Sequence, residues 1–263
     1  MQIHGKNVVL TGASGGIGNA IAHALDAAGA NLLMTGRDAA ALDKLQKQLR
    51  GGHRVLATDL CTEPGRRQLV DAASAFGADL LINNAGAGQL SLLEDTGSAD
   101  LEHLVAVNLL APMLLCKGFL PILRERPAAT IVNIGSILGS IGYAGSAVYC
   151  ASKFGLRGFT EALRRELADT AINVVYLAPR ATDTALNNSS RQALNRELGT
   201  AVDTPQQVAA HVVEAITHPE RGHRFIGWPE AFFVRLNSLL PAVVDKALRA
   251  KLSTIQRHAH TQP

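Results

Sequence analysis

A chain of 263 residues that is 47% hydrophobic and 18% charged can bury a large core, which excludes bulk disorder, while three cysteines with no CxxC pair exclude a disulfide scaffold. The formal charge of +3 resides in residues 244–263, where Lys246, Arg249, Lys251 and Arg257 oppose only Asp245, so the rest of the chain is balanced. With no distributed basic face and 4% aromatic residues, a nucleic-acid partner is excluded.

Short apolar runs alternate with helix-period stretches from the first residues onward. Residues 7–11 (NVVLT) read as a buried strand, followed by a glycine turn and a helix over 17–28. Residues 31–35 (NLLMT) predict a second strand and 38–50 a second helix, with Asp38 as its N-cap. The strand pattern returns at 54–58, 79–82, 130–134, 173–177 and 224–227, with helices between. These strands are continuous Val/Ile/Leu runs, as expected when both faces of a sheet are covered. The pattern predicts one α/β domain over 1–228, a doubly wound, Rossmann-like parallel sheet of about seven strands with helices on both faces. Residues 182–200 are polar and lack a strand, which suits a loop over a site. Thr204-Pro205 then starts a helix over 206–217.

The uncharged stretch 127–152 is long enough to span a bilayer, yet its serines, Asn133 and four glycines make a poor hydrocarbon-facing helix. The N-terminal residues lack the charged and apolar regions of a targeting segment. Free thiols fit a reducing compartment, so a cytoplasmic protein is expected. The histidine spacing predicts no metal site, and the His258/His260 pair falls in residues expected to fray.

Residues 11–18 (TGASGGIG) lie between the first strand and the first helix. Glycines there permit a sharp turn and a close approach of backbone N–H groups to an anion, and the helix N-terminus favours a pyrophosphate. The second strand ends on Gly36-Arg37, where a ribose-binding carboxylate would otherwise stand. A guanidinium there can pair with a 2′-phosphate, which favours NADP(H) over NAD(H). Tyr149 and Lys153, four residues apart, share a helix face, and Ser136 closes the strand 130–134 at the sheet edge where ligands bind. An ammonium beside a phenol favours phenolate, and a serine hydroxyl can hold a carbonyl oxygen as it gains charge.

In order and spacing, TGxxxGxG at 11–18, NNAG at 83–86, Asn108, Ser136 and YxASK at 149–153 resemble the short-chain dehydrogenase/reductase family, over residues 7–185. The resemblance implies an NADP(H)-dependent oxidoreductase that interconverts a ketone and a secondary alcohol and assembles as a homodimer or homotetramer. It implies that Tyr149 is the general acid/base, that Lys153 binds the nicotinamide ribose, that Ser136 orients the carbonyl and that Asn108 holds a relay water. Gly12, Ser14, Gly15, Gly16 and Ile17 would meet the pyrophosphate and Arg37 the 2′-phosphate. Asp59 and Leu60 would lie by the adenine, Asn83, Ala85 and Gly86 along the cofactor, and Pro179, Thr182 and Thr184 at the nicotinamide. Two positions depart from the family pattern: Arg180 replaces the glycine after Pro179, and Gly135 stands where a serine is common.

Leu138, Tyr143 and Arg180, with Ser136, are candidate substrate contacts, and the small apolar run 137–146 points to an apolar or extended substrate. Arg180 and Arg191 are candidates to meet an acidic or phosphate-bearing handle, against the reading that both are simply solvated. Residues 229–263 form an amphipathic, basic extension with three readings: a lid, an oligomer contact, or a helix on anionic lipid. A dinucleotide sensor without catalysis and a membrane-peripheral lipid reductase are the rival functions.

Overall fold

The computed structural model describes residues 1–260. Seven parallel strands, β1 (Asn7–Thr11), β2 (Asn31–Gly36), β3 (Arg54–Ala57), β4 (Leu80–Asn83), β5 (Ala129–Ile134), β6 (Ile172–Ala178) and β7 (His223–Phe225), form one sheet in the order β3-β2-β1-β4-β5-β6-β7. Side chains alternate across it. Val8, Leu10, Leu32, Met34, Leu80 and Ile82 face one core, whereas Val9, Leu33, Leu81 and Ile131 face the other. The first core is covered by α1 (Gly16–Ala27), α2 (Ala39–Gln48) and α8 (Pro205–Thr217) through Ile21, Leu25, Leu42, Val208 and Val212. The second is covered by α3 (Glu63–Phe76), α5 (Ala111–Arg124) and α6 (Ala147–Glu166) through Leu69, Leu115, Phe119 and Leu163. Strand order reverses between β1 and β4, which opens a crevice at their carboxyl ends.

Local chemistry sets the helix starts. The Asp38 carboxylate accepts from the Ala41 N–H at 3.0 Å, and Thr204 with Gln207 forms a capping box ahead of Pro205. Helix α4 (Ser98–Val105) runs into α5 through a π-turn at Ala106–Leu110. This 27-residue helix is long and apolar enough to cross a bilayer, yet Leu115, Phe119 and Leu123 pack it against the sheet. The stretch 127–152 forms β5, a loop and the start of α6.

Two segments differ from the expectations of the sequence. The polar stretch 182–200 contains a helix, α7 (Ser189–Glu197), capped by the Asn188 side chain on the Arg191 N–H. Helix α11 (Leu252–Ala259) buries Ile255 and Ala259 against Leu90 and Leu194, so His258 belongs to a packed helix with His260 at its C-cap, not to a frayed end. His258 pairs with Glu197 at 2.8 Å and His260 with Asp95 at 3.1 Å. Ahead of them, α9 (Glu230–Leu239) and α10 (Pro241–Arg249) lay Val234 and Val244 on Ile137 and Ile141. The extension therefore packs on its own chain, beside the carboxyl ends of β5 and β6.

Candidate functional site

The glycine turn closes tightly on itself. Gly12 has φ +63°, and a Cβ there would stand 2.7 Å from Ala85 Cα; a Cβ on Gly18 would stand 2.1 Å from the Gly12 carbonyl oxygen. Asn84 ties the turn to β4 by donating to the Thr11 and Gly12 carbonyls at 3.0 and 3.1 Å. Gly15 caps α1 without a side-chain hydrogen bond, and no acidic residue occupies the first turn. The helix dipole and its first N–H groups thus face the crevice free of a competing anion, which fits a dinucleotide pyrophosphate. Ser14 lies against Gly36, where a Cβ would come 3.2 Å from its hydroxyl. Arg37 follows β2 and is exposed, and its positive charge acts on the Cys61 thiol, whose own N–H donates to Asp59 at 2.9 Å. These residues line the edge where an adenosine half would lie.

The catalytic candidates converge at the far end of the crevice. Tyr149 and Lys153 project from α6, and the Lys153 ammonium lies 5.9 Å from the Tyr149 ring centre. Lys153 Nζ donates to the Ile134 carbonyl at 3.0 Å, and burial lowers its pKa to about 8. Burial raises the Tyr149 pKa, opposed by a hydrogen bond to Ser136 and by the positive charge of Arg191. The Ser136 hydroxyl also accepts from the Leu138 N–H at 3.1 Å. Asn108 sits in the π-turn, a form of helix often found at functional sites. Its amide exchanges two hydrogen bonds of 2.9 Å with the Ala87 backbone and donates to Ser152 at 3.2 Å. Its side chain thus locks residues 84–88 to α6, and a Cβ on Gly86 would stand 3.0 Å from its oxygen. Cys150 points away, toward the Ile141 carbonyl.

Both departures from the family pattern have physical reasons. A Cβ on Gly135 would lie 2.1 Å from the Tyr176 ring, so the tyrosine on β6 requires glycine there. The buried Tyr176 hydroxyl accepts from the Ser136 N–H at 3.3 Å and donates to the Ser136 carbonyl at 3.2 Å. Sequence reasoning missed this buttress, because the partners are 40 residues apart. Tyr176→Phe leaves the Ser136 N–H unpaired at a cost of about 1–3 kcal/mol. We expect melting to fall by about 2–4 °C per kcal/mol and kcat to fall more than KM rises. Calorimetry and initial rates check this; unchanged melting and kcat would remove the buttress.

Arg180 is a clamp. Its guanidinium donates to Asp203 at 2.7 Å, to Glu230 at 3.1 Å and to the Trp228 carbonyl at 3.2 Å, joining the end of β6 to the start of α9. Arg180 lines the same cavity as Ser136, Leu138, Tyr143, Tyr149, Lys153, Pro179, Thr182 and Thr184, which has a volume of about 580 Å³. That volume suits a small organic ligand. Arg191 lines it as well, near Tyr149.

Comparison with known proteins agrees with this geometry. The family model described as short chain dehydrogenase matches residues 6–195. Nodulation protein G of a Rhizobium species is 33% identical over 219 residues, covering 79% of this chain and 89% of that protein. A 3-oxoacyl-[acyl-carrier-protein] reductase of Rickettsia conorii is 32% identical over 218 residues, covering 81% and 89%. A short-chain dehydrogenase/reductase of Burkholderia phymatum solved with NAD superposes with a TM-score of 0.82 at 28% identity, over 92% of this chain and 96% of that one. A metagenomic short-chain oxidoreductase solved with NADP gives 0.71 at 30% identity, over 86% and 96%. A nicotinamide cofactor and a small-molecule substrate follow from this kinship, and the chain belongs to the short-chain dehydrogenase family of oxidoreductases.

Proposed function

We propose that this enzyme interconverts a ketone and a secondary alcohol with NADP(H), using Tyr149 as the general acid/base. The convergence of Tyr149, Lys153 and Ser136 on one apolar cavity carries the reading. The bound cofactor supplies or accepts the hydride. Ser136 holds the carbonyl oxygen, and Tyr149 delivers a proton to that oxygen in reduction and takes it back in oxidation. Lys153 holds the nicotinamide ribose and favours phenolate, while its bond to the Ile134 carbonyl fixes its place. Because the Asn108 amide is committed to Ala87 and Ser152, a relay water falls to its main-chain carbonyl in the π-turn.

NADP(H) is favoured by Arg37, which stands at the adenosine edge where no carboxylate ends β2. Losing a charge-assisted pair to a 2′-phosphate costs about 1.5–3 kcal/mol, so Arg37→Ala should lower the NADPH-to-NADH ratio of kcat/KM by about 10–100-fold. NADH rates should stay unchanged. An unaltered ratio would assign the phosphate to another group, and a wild-type preference for NADH would reverse the assignment.

We assign a homo-oligomeric, cytoplasmic enzyme, supported by the free thiols and by exposed Leu101, Leu110, Met113 and Phe154 on α4, the π-turn, α5 and α6. The membrane-surface reading rests on exposed Trp228, Phe232, Leu239 and Leu240 near the basic residues of α10.

A further inference from the structure

The charges of the reaction cavity are unequal. Four cationic side chains line it, Lys153, Arg180, Arg191 and Lys251, against a single carboxylate, Glu230. Glu230 and Asp203 are taken by Arg180, and Lys153 is fixed on the Ile134 carbonyl. Arg191 is different. It rises from the first turn of α7 and leans inward, where one terminal nitrogen, Nη2, donates to the Gln89 carbonyl at 3.1 Å and to the Ser146 hydroxyl. Both acceptors are neutral. No carboxylate among the described residues pairs with it, and its Nε and Nη1 donors have no protein acceptor among them. Arg191 is half-buried, and its free donors stay accessible from the cavity, where a planar fork without a counterion is shaped for a carboxylate.

Its position ties it to the reaction. Ser146 caps α6 one helical turn before Tyr149, so the guanidinium is anchored a turn from the phenol. Its charge acts on Tyr143 and Tyr149, while burial lowers its own pKa. Its anchors are the Gln89 carbonyl and Ser146 at the start of α6, whereas the glycine turn packs against Thr184 across the crevice. The same cavity has apolar walls, among them Leu138, Ile141, Leu236, Val244 and Leu248. Lys251, which also lines it, is exposed.

We propose that the substrate is an apolar oxo acid whose carboxylate, close to the reacting carbonyl, is held by Arg191, with its hydrocarbon body lying against α9 and α10. This rests on the reductase reading above and narrows it. It also gives α7 and the C-terminal extension a shared purpose: the first brings the cation and the second brings the apolar wall.

The test separates the two readings. Decanoate and decanamide, which cannot react, are titrated calorimetrically into the protein saturated with NADP. Wild type should bind decanoate about 10–100-fold tighter than decanamide, the worth of a charge-assisted hydrogen bond. Arg191→Met should abolish that difference, Arg191→Lys should keep part of it, and Lys251→Met should leave it intact. Equal affinities, no binding of either ligand, or a difference that follows Lys251 would overturn the proposal. In turnover, Arg191→Met should raise KM for 4-phenyl-2-oxobutanoate about 10-fold or more above any change in KM for its ethyl ester, since the ester lacks the charge being read. Ester reduction with no use of the acid would sink the oxo-acid proposal and leave the reductase standing. Arg191-dependent decanoate binding with no turnover of any carbonyl would do the reverse.

Discussion

Replacing Tyr149 by Phe should lower kcat by about 10²–10⁴-fold, the usual worth of a positioned general acid, while cofactor affinity and melting temperature change little. Removing the phenol oxygen breaks its hydrogen bond to Ser136 but leaves α6 held by Leu156 and Leu163 and Ala87 held by Asn108. Reduction needs the proton on Tyr149 and the ammonium on Lys153. Burial raises the first pKa and lowers the second to about 8, so Lys153 is the group that limits the alkaline side. The active form is present below that pH, and kcat/KM for reduction should decline as pH rises through about 8. Lys153→Met should be weak at every pH and lose the break. A Tyr149→Phe enzyme within about tenfold of wild type would transfer the acid role elsewhere.

Gly18→Ala should damage the enzyme from the other end of the crevice. A single methyl group would lie 2.1 Å from the Gly12 carbonyl oxygen, 2.9 Å from Ala13 Cα and 2.9 Å from the Asn84 amide. The first two are backbone, so the turn must open. Overpacking of this kind costs about 1–3 kcal/mol or more, and it displaces the N–H groups that would meet the pyrophosphate. We expect a melting temperature several degrees lower, at about 2–4 °C per kcal/mol, and cofactor binding weakened by about tenfold or more. Gly142→Ala is the control, since a Cβ there meets nothing within 4 Å. If Gly18→Ala binds the cofactor as tightly as this control, the turn does not carry the pyrophosphate.

The parts legible in the sequence were those written locally. Continuous apolar runs gave the strands, because a sheet covered on both faces needs no polar alternation, and Asp38 and Thr204 marked helix starts by the hydrogen bonds their side chains make. The candidate catalytic residues Ser136, Tyr149 and Lys153 stood out by their spacing, and the fold brings all three to one cavity. Helix α7 was not, because Leu194 is its one buried residue and a single apolar position makes no stripe. The roles of Arg180 and Arg191 were also hidden. Both are arginines in a polar stretch near the site, and only the fold brings Asp203 and Glu230 to the first while leaving the second with neutral partners. Gly135 reads as a departure until β6 sets Tyr176 over it.

The central claim is hydride transfer between a nicotinamide and a carbonyl carbon under control of Tyr149. The most direct measurement uses NADPH deuterated at the transferable C4 position, with a panel of ketones and oxo acids, and mass spectrometry of the products. Wild type should place one deuterium on the new carbinol carbon, in step with NADPH consumed, and Tyr149→Phe almost none. Tight NADPH binding with no deuterium in any product would contradict this claim and mark the chain as a dinucleotide sensor.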